Sequence, residues 1–405
     1  MNNETAEKNS GNFYATKSET APSCRIDGKI SLVKGFKDYT GEDAEKRAEI
    51  RKILIETFEK YGFESAETPV VEYEEFVRGE NPNDEAVSDI FKLKDKGERN
   101  LALRYEFTFQ LKRLMKNKKL PYKRYQIGEV FRDEPVSSNR FRQFVQCDAD
   151  IIGSTIKDEA EILALTKEVL ERLGIKFVIY IGNRKLLNEL LDQYEIDLKN
   201  REFVLREVDK LDKLSEKEVK ENLKKYRAEK ILSVLNGKES SFKIYKSYEE
   251  IKELKKYCKY YNIDVKFLPS LARGLSYYNG NVFEIKTKNI KESIVAGGSF
   301  MFNGVQSTGI SFGLDRLAIL SEIKSEKEKF LIVSLNQDKK SIELAEKLRK
   351  NGEITSVYYG KPSKALEFAN SYKFNKVIVV GEREIKKKKF NVKDMKTGKE
   401  RYLKF

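Results

Sequence analysis

Residues Tyr125–Gly153 read YQIGEVFRDEPVSSNRFRQFVQCDADIIG. The pattern describes a strand (Tyr125–Phe131), a polar turn carrying Pro135, Ser137, Ser138 and Asn139, and a returning strand (Phe141–Ile152). Arg132 and Glu134 stand where the first strand opens into the turn, and Arg140 and Arg142 where the second begins. A guanidinium is a planar fork matched to phosphate oxygens, and a carboxylate accepts from an exocyclic amine. A hairpin with both at its mouth suits a polyanion that also carries hydrogen-bond donors; the phosphates and adenine amine of ATP meet that description. The competing reading is an exposed hairpin with ordinary surface ion pairs, which contribute little.

Three other segments argue against that competitor. Leu101–Thr108 (LALRYEFT) is an apolar strand that delivers Arg104, Glu106 and Thr108 in alternation, so all three are expected on one face. Leu271–Glu284 (LARGLSYYNGNVFE) is a loop with Arg273, Tyr277 and Tyr278 running into a strand. Ala296–Leu317 (AGGSFMFNGVQSTGISFGLDRL) has paired glycines, a turn, and an apolar strand that enters a helix at Gly313–Arg316.

Together these segments resemble a known family. The FRDE hairpin and the GLDRL strand–helix resemble motifs 2 and 3 of class II aminoacyl-tRNA synthetases. The RGLSYY loop resembles the signature of the histidyl-tRNA synthetase family, as does KGFKDY at Lys34–Tyr39. Tyr61–Val70 (YGFESAETPV) resembles motif 1 up to its proline. The similarity runs from about Ser31 to the C-terminus. FRxE and GLxRL belong to the whole class, whereas RGLxYY with QxxxD is far more specific.

The resemblance implies a histidine–tRNA ligase with histidine, ATP and tRNA(His) as substrates and Mg²⁺ accompanying ATP. It assigns Arg132 to the α-phosphate, Glu134 to the adenine amine and Arg316 to the γ-phosphate. Arg273 becomes a second cation at the α-phosphate, beside the histidine. Glu106, Thr108 and Gln146 match the residues that hold the amino and carboxylate ends of histidine. Asp150 matches the carboxylate that accepts the ring N–H, and Tyr278 the second ring contact. Tyr277 is read either as core packing or as part of that pocket. No protein metal site is implied. Motif 1 implies a homodimer, with Phe58, Phe63, Val70 and Val71 supplying apolar surface.

One segment departs from the family pattern. Where the family has Arg-Tyr-Asp after the paired glycines, this chain has Ser299-Phe300-Met301. Ser299 removes a cation and Phe300 a hydroxyl expected near the substrate ring. A second reading therefore stands beside the ligase: a catalytically weakened paralogue acting as a regulatory or tRNA-sensing protein. A general single-strand RNA binder would need an aromatic stacking platform with basic flanks. Here the aromatics fall mostly in strand cores, which ranks that reading last.

Composition fits a protein that handles polyanions. The net charge is +14, and Phe330–Phe405 carries 19 Lys/Arg against 9 Asp/Glu, supplying +10 of it, with the run Lys386–Lys389 inside. The 405 residues contain no histidine, so no imidazole of the chain can serve as base, switch or ligand. Two explanations stay open: synthesis that does not depend on the enzyme's own product, and drift in a Lys-rich genome, with which the missing Trp agrees. Cys24, Cys147 and Cys258 are far apart without a CxxC, which fits a reducing cytoplasm. No apolar run approaches the length of a membrane span, and the polar N-terminus is not a signal peptide.

The expected architecture is α+β: a catalytic domain on an antiparallel sheet flanked by helices, with a helical insertion and a small C-terminal α/β domain. Residues 1–28 read as a mobile tail, 29–325 as the catalytic domain with an insertion at about 196–262, and 330–405 as an anticodon-binding domain. By position the insertion corresponds to the family's acceptor-arm contact. Helices are expected at Gly41–Tyr61, Asp158–Leu173, Arg184–Leu191, Lys339–Lys350 and Lys364–Ser371.

Overall fold

A computed structural model describes residues 25–26, 29–79, 85–137, 140–272, 277–290, 292–323, 328–387 and 389–403. The larger sheet is built from β1 (Glu64–Ser65), β2 (Tyr122–Phe131), β3 (Gln143–Ile152), β4 (Val178–Asn183), β5 (Val265–Phe267), β6 (Tyr278–Lys286), β7 (Val295–Phe302) and β8 (Val305–Gly313). They hydrogen-bond in the order β5-β4-β6-β7-β8-β3-β2-β1. The six central strands are antiparallel; only the short edge strands pair in parallel, β5 with β4 and β1 with β2. The α+β expectation holds, with parallel pairing confined to the two edges.

The helices are α1 (Gly41–Lys60), α2 (Ile156–Arg172), α3 (Arg184–Gln193), α4 (Leu198–Asp209), α5 (Glu216–Lys224), α6 (Tyr248–Tyr260) and α7 (Leu314–Leu320). Helix α1 buries Ile50, Leu54 and Phe58 completely at helical spacing. The Phe58 ring meets Tyr125 of β2 at 5.3 Å and Phe312 of β8 at 5.9 Å, so one side chain joins the helix to two strands. The charged insertion is not a detached helical pair. Val204, Leu205 and Val208 of α4, Val219 and Leu223 of α5, and Phe242 are all buried in the same core as the sheet.

Three expectations change. The returning strand begins at Gln143 rather than Phe141, because the Arg142 N–H donates to the Gly35 carbonyl at 2.9 Å instead of continuing the ladder. The strand expected over Leu101–Thr108 covers only Asn100–Leu103. Beyond it Arg104 turns away, its Nε donating to the Glu129 carbonyl (2.8 Å) and its Nη1 to the Thr68 carbonyl (2.7 Å). Phe58 and Phe63 lie in the subunit core, leaving Val70 and Val71 exposed beside Tyr73 and Leu93.

The C-terminal unit is a five-stranded mixed sheet in the order Ile354–Tyr359, Lys329–Ser334, Lys376–Val380, Phe390–Asp394, Glu400–Leu403, the first three parallel. The middle strand of the three parallel ones, Lys329–Ser334, is apolar on both faces: Phe330 and Ile332 pack with the helix Asp338–Lys350, Leu331 and Val333 with the helix Pro362–Ser371. Among the described residues no helix is long and apolar enough to cross a membrane.

Phe58→Ala is expected to destabilise the catalytic unit by about 3–5 kcal/mol, because the void opens between a helix and two strands that cannot all close on it. Urea titration should show a lower midpoint at unchanged slope; a shift below about 1 kcal/mol would mean that the three elements are not held through this ring.

Candidate functional site

The mouth of the β2–β3 hairpin, the start of α7 and the loop entering β6 converge on one cavity of about 580 Å³. Arg132, Glu134 and Arg316 line it, and so do Glu106, Thr108, Gln146, Asp150, Tyr277 and Tyr278. Arg273, Gly274, Leu275 and Ser276 lie outside the described residues, as do Ser138 and Asn139. Leu271 and Tyr277, on either side of the RGLS segment, both reach the cavity.

At the hairpin mouth, Glu134 is gripped by Arg140, whose Nε lies 2.7 Å from its Oε2. Arg132 Nε donates to the Tyr105 carbonyl at 3.1 Å, and its guanidinium sits 5.2 Å from the Phe144 ring centroid. Arg142 is not in the cavity. It pairs with Asp133 at 3.0 Å and packs beneath Gly35, where a Cβ would stand 2.8 Å from its Cγ. Gly35 has φ +88°, so both conformation and close approach call for glycine there.

Arg316 occupies the first turn of α7, and its Nη1 donates to the Ser293 carbonyl at 2.7 Å. Its neighbour Asp315 holds the helix start in place. Asp315 Oδ1 accepts from the Tyr39 hydroxyl (2.7 Å) and from Arg47 Nη1 (2.7 Å), and Oδ2 accepts from the Val145 N–H (3.0 Å). The Arg47 guanidinium also stacks 3.8 Å from the Tyr39 ring centroid. The KGFKDY segment thus reaches the site through Tyr39, while Gly35 packs on Arg142 outside the cavity.

Deeper along β3, Gln146, Asp148 and Asp150 point to one face, as alternation requires. Gln146 Nε2 donates to Asp148 Oδ2 at 2.8 Å, which turns its carbonyl oxygen toward the open space. Asp150 stands opposite Arg124 of β2 and Gly309 of β8. Arg124 is fully buried, and its Nη2 lies 2.7 Å from Asp150 Oδ2. Burial raises the carboxyl of Asp148, and Asp150 beside it adds to the rise. Burial also raises the Asp150 carboxyl, with Arg124 opposing it. The Tyr277 phenol is pushed well above its ordinary value, first by burial, then by the Tyr278 phenol and by Glu106, so it stays protonated.

The two departing residues face opposite ways. Phe300 lines the cavity, its ring edge-on to Tyr277 at 5.7 Å. Ser299 faces the back of the sheet, where its hydroxyl donates to Glu159 Oε1, while Asn281 Nδ2 donates to Glu159 Oε2 at 2.7 Å. The lost cation therefore does not belong to the cavity; the lost hydroxyl does.

The sequence reading missed Asp148, Arg124 and the Asp315 network. Asp148 shares parity with Gln146 and Asp150, and that signal was available. Arg124 follows only from the hairpin register, Arg124↔Asp150, which needs the turn length to be known. Among the described residues no group of three or more carboxylates or thiolates is placed to hold a metal ion.

A family profile for histidyl-tRNA synthetase matches residues 35–317, and one for an anticodon-binding domain matches 329–405. The chain belongs to the histidyl-tRNA synthetase family. Histidine–tRNA ligase 2 of Shouchella clausii is 32% identical over 417 residues, covering 92% of this chain and 98% of that protein. The histidine–tRNA ligase of Methanocaldococcus jannaschii is 32% identical, covering 91% and 96%. In fold, the chain is similar to the crystal structure of a histidyl-tRNA synthetase from Nostoc, with TM-score 0.81, 22% identity and coverage of 93% and 97%. It is also similar to a Bacillus halodurans structure described as an ATP phosphoribosyltransferase regulatory subunit/histidyl-tRNA synthetase, with TM-score 0.73, 22% identity and coverage of 86% and 98%. The family is one of class II aminoacyl-tRNA ligases, for which ATP is a substrate.

Glu159 gives this synthetase fold a testable pH signature. Burial lifts its carboxyl from the model-compound value of 4.5 to about 7. Between those values the folded state binds more protons than the unfolded state, so this group's contribution to stability falls as pH rises from about 4.5 to about 7. The stability difference between wild type and Glu159→Gln should decline across that window, by up to about 1.4 kcal/mol per pH unit. Denaturation curves with a pH-independent difference would show that Glu159 is ionised throughout.

Proposed function

We propose that this chain is a histidine–tRNA ligase that activates histidine with ATP and transfers it to tRNA(His). The observation that supports this most directly is the shared cavity. Arg132, Glu134 and Arg316 line it together with Glu106, Thr108, Gln146, Asp150, Tyr277 and Tyr278. Asp150 lies four residues along β3 from Gln146, about 13 Å at the rise of a strand, away from the hairpin mouth. That spacing suits an amino acid whose ring is read deep in the sheet while its carboxylate faces a nucleotide at the mouth.

Adenylate formation drives a carboxylate onto the α-phosphate, so negative charge meets negative charge and catalysis is neutralisation and alignment. In this reading Arg132 and Arg273 hold the α-phosphate, Glu134 accepts from the adenine amine, and Arg316 takes the γ-phosphate of ATP bound with Mg²⁺. Glu106, Thr108 and Gln146 take the ends of histidine. Asp150 accepts the ring N–H, with Tyr278 and Tyr277 beside it. The insertion at about 196–262 faces the acceptor arm, and residues 330–405 the anticodon. Residues 29–325 form the catalytic unit and the enzyme works in the cytoplasm; the tail expected over 1–28 lies outside the described residues apart from Arg25–Ile26, which pairs with Lys29–Ile30.

The alternative, a regulatory or tRNA-sensing paralogue, draws on Phe300 and on the likeness to the Bacillus halodurans structure. ATP–pyrophosphate exchange across the twenty amino acids separates the two: the ligase exchanges with histidine and with no other. Arg132→Ala should lower that rate by about 10²-fold or more with little change in histidine binding. Absence of histidine-dependent exchange in the wild type would hand the assignment to the paralogue.

A homodimer is part of the same proposal. Val70, Val71, Tyr73 and Leu93 form exposed apolar surface next to the motif 1 segment. The expected isologous interface exceeds about 2,000 Å². Light scattering at micromolar concentration should give twice the chain mass; a stable monomer would overturn this.

A further inference from the structure

Asp150 is held from two sides. On one, Arg124 Nη2 approaches its Oδ2 at 2.7 Å; on the other, the Gly309 backbone is so close that a Cβ built there would stand 2.0 Å from Oδ1. Arg124 itself is fully buried, donates from Nη2 to the Phe107 carbonyl at 3.1 Å, and leaves Nε and Nη1 without acceptors. A guanidinium in that position, with two nitrogens unsatisfied, is costly for stability alone. Its distinguishing effect is on the charge of the group it touches.

We propose that Arg124 is a positioning residue whose charge compensates the Asp150 carboxylate, so that the pocket takes histidine with a neutral, singly protonated ring and excludes the imidazolium. This rests on histidine being the amino acid bound. The charge count around Asp150 carries it. From β2 comes Arg124, a cation; from β3, Asp148, whose carboxyl burial raises to about 7, so that it is neutral in the acidic part of the range where the imidazolium forms. From β8 comes Gly309, and from β7 Phe300, neither of them titratable. The segment after β1 brings Glu106, which the substrate's ammonium occupies, and the loop into β6 brings Tyr277 and Tyr278. The ring site is then a neutral ion pair flanked by phenols. A neutral imidazole satisfies both sides, giving its N–H to Asp150 and accepting a phenol O–H at its bare nitrogen. An imidazolium would bring a second cation against a carboxylate already paired, and would leave the phenols nothing to donate to.

The test is calorimetric titration of full-length protein with histidine from pH 5.5 to 9. A free imidazole titrates near pH 6.5. Below that the ring must release its proton to enter, so the dissociation constant should rise by about tenfold per pH unit. The triazole analogue of histidine, whose ring is neutral throughout the range, should bind without that rise. In Arg124→Met the complex keeps one proton between Asp150 and the ring. The ratio of variant to wild-type dissociation constants should therefore climb at alkaline pH, and Arg124→Lys should return it toward a flat line. Should Arg124→Met fail to fold, the Lys variant and the wild-type comparison of histidine with its triazole analogue still decide.

A histidine affinity that ignores pH below 6.5, or a Met variant running parallel to wild type throughout, overturns the proposal while leaving histidine as ligand. Absence of histidine binding at every pH, together with absent exchange, overturns the ligase reading itself.

Discussion

Everything in the catalytic unit is referenced to the carboxylate of Asp315. It gathers the Tyr39 hydroxyl from the N-terminal segment, the Arg47 guanidinium from α1 and the Val145 N–H from β3. Asp315 is largely buried, so each of these donors is worth more than a surface contact, and removing one leaves a charged oxygen unsatisfied. The consequence is geometric. Arg316 is the next residue, so fixing Asp315 fixes the cation of α7 relative to the strand that carries Gln146 and Asp150. A loop could not hold that separation; a buried carboxylate with three donors from three elements can.

The same logic of pairing runs along the hairpin and down β3, with a different degree of pairing at each step. At the mouth, Glu134 is paired with Arg140. In the middle, Asp148 has Gln146 on one oxygen and no partner on the other. At the deep end, Asp150 is paired with Arg124. At the mouth the pair can open, because Arg140 is exposed and can release Glu134 to solvent. At the deep end no exchange is available, since Arg124 is fully buried and has nowhere else to go. The mouth is therefore adaptable and the floor rigid.

How much of this was legible in the sequence depends on whether a position is fixed locally or by register. The Gln146–Asp150 face followed from alternation alone, and the Ile50–Leu54–Phe58 stripe from helical period. The length of the strand after Asn100 was not legible. Arg104 satisfies alternation as well as Glu106 does, but it finds backbone carbonyls of two other segments, and no local pattern announces a tertiary acceptor. Phe63 misled for a related reason: beside a motif expected to build an interface it reads as surface, yet the strand it precedes packs it inward. The Ser299-Phe300 departure was read as two losses at the site, a cation and a hydroxyl, but only Phe300 lies in the cavity, because successive residues of a strand face opposite sides.

The missing histidines acquire a physical consequence from this arrangement. With no imidazole in the chain, the groups that can change charge near neutral pH are buried carboxyls such as Asp148 and Glu159, and the substrate. Asp148 faces the cavity and Glu159 faces the back of the sheet beneath Ser299, so only Asp148 can report on binding, whereas both raised carboxyls lower stability as pH rises toward about 7. In a chain with its own histidines those two responses would overlap with imidazole titrations and could not be told apart. Here a proton released at about pH 6 to 7 when the amino acid binds cannot come from an imidazole of the chain, which leaves the ring of the amino acid and the buried carboxyls as the groups that titrate there.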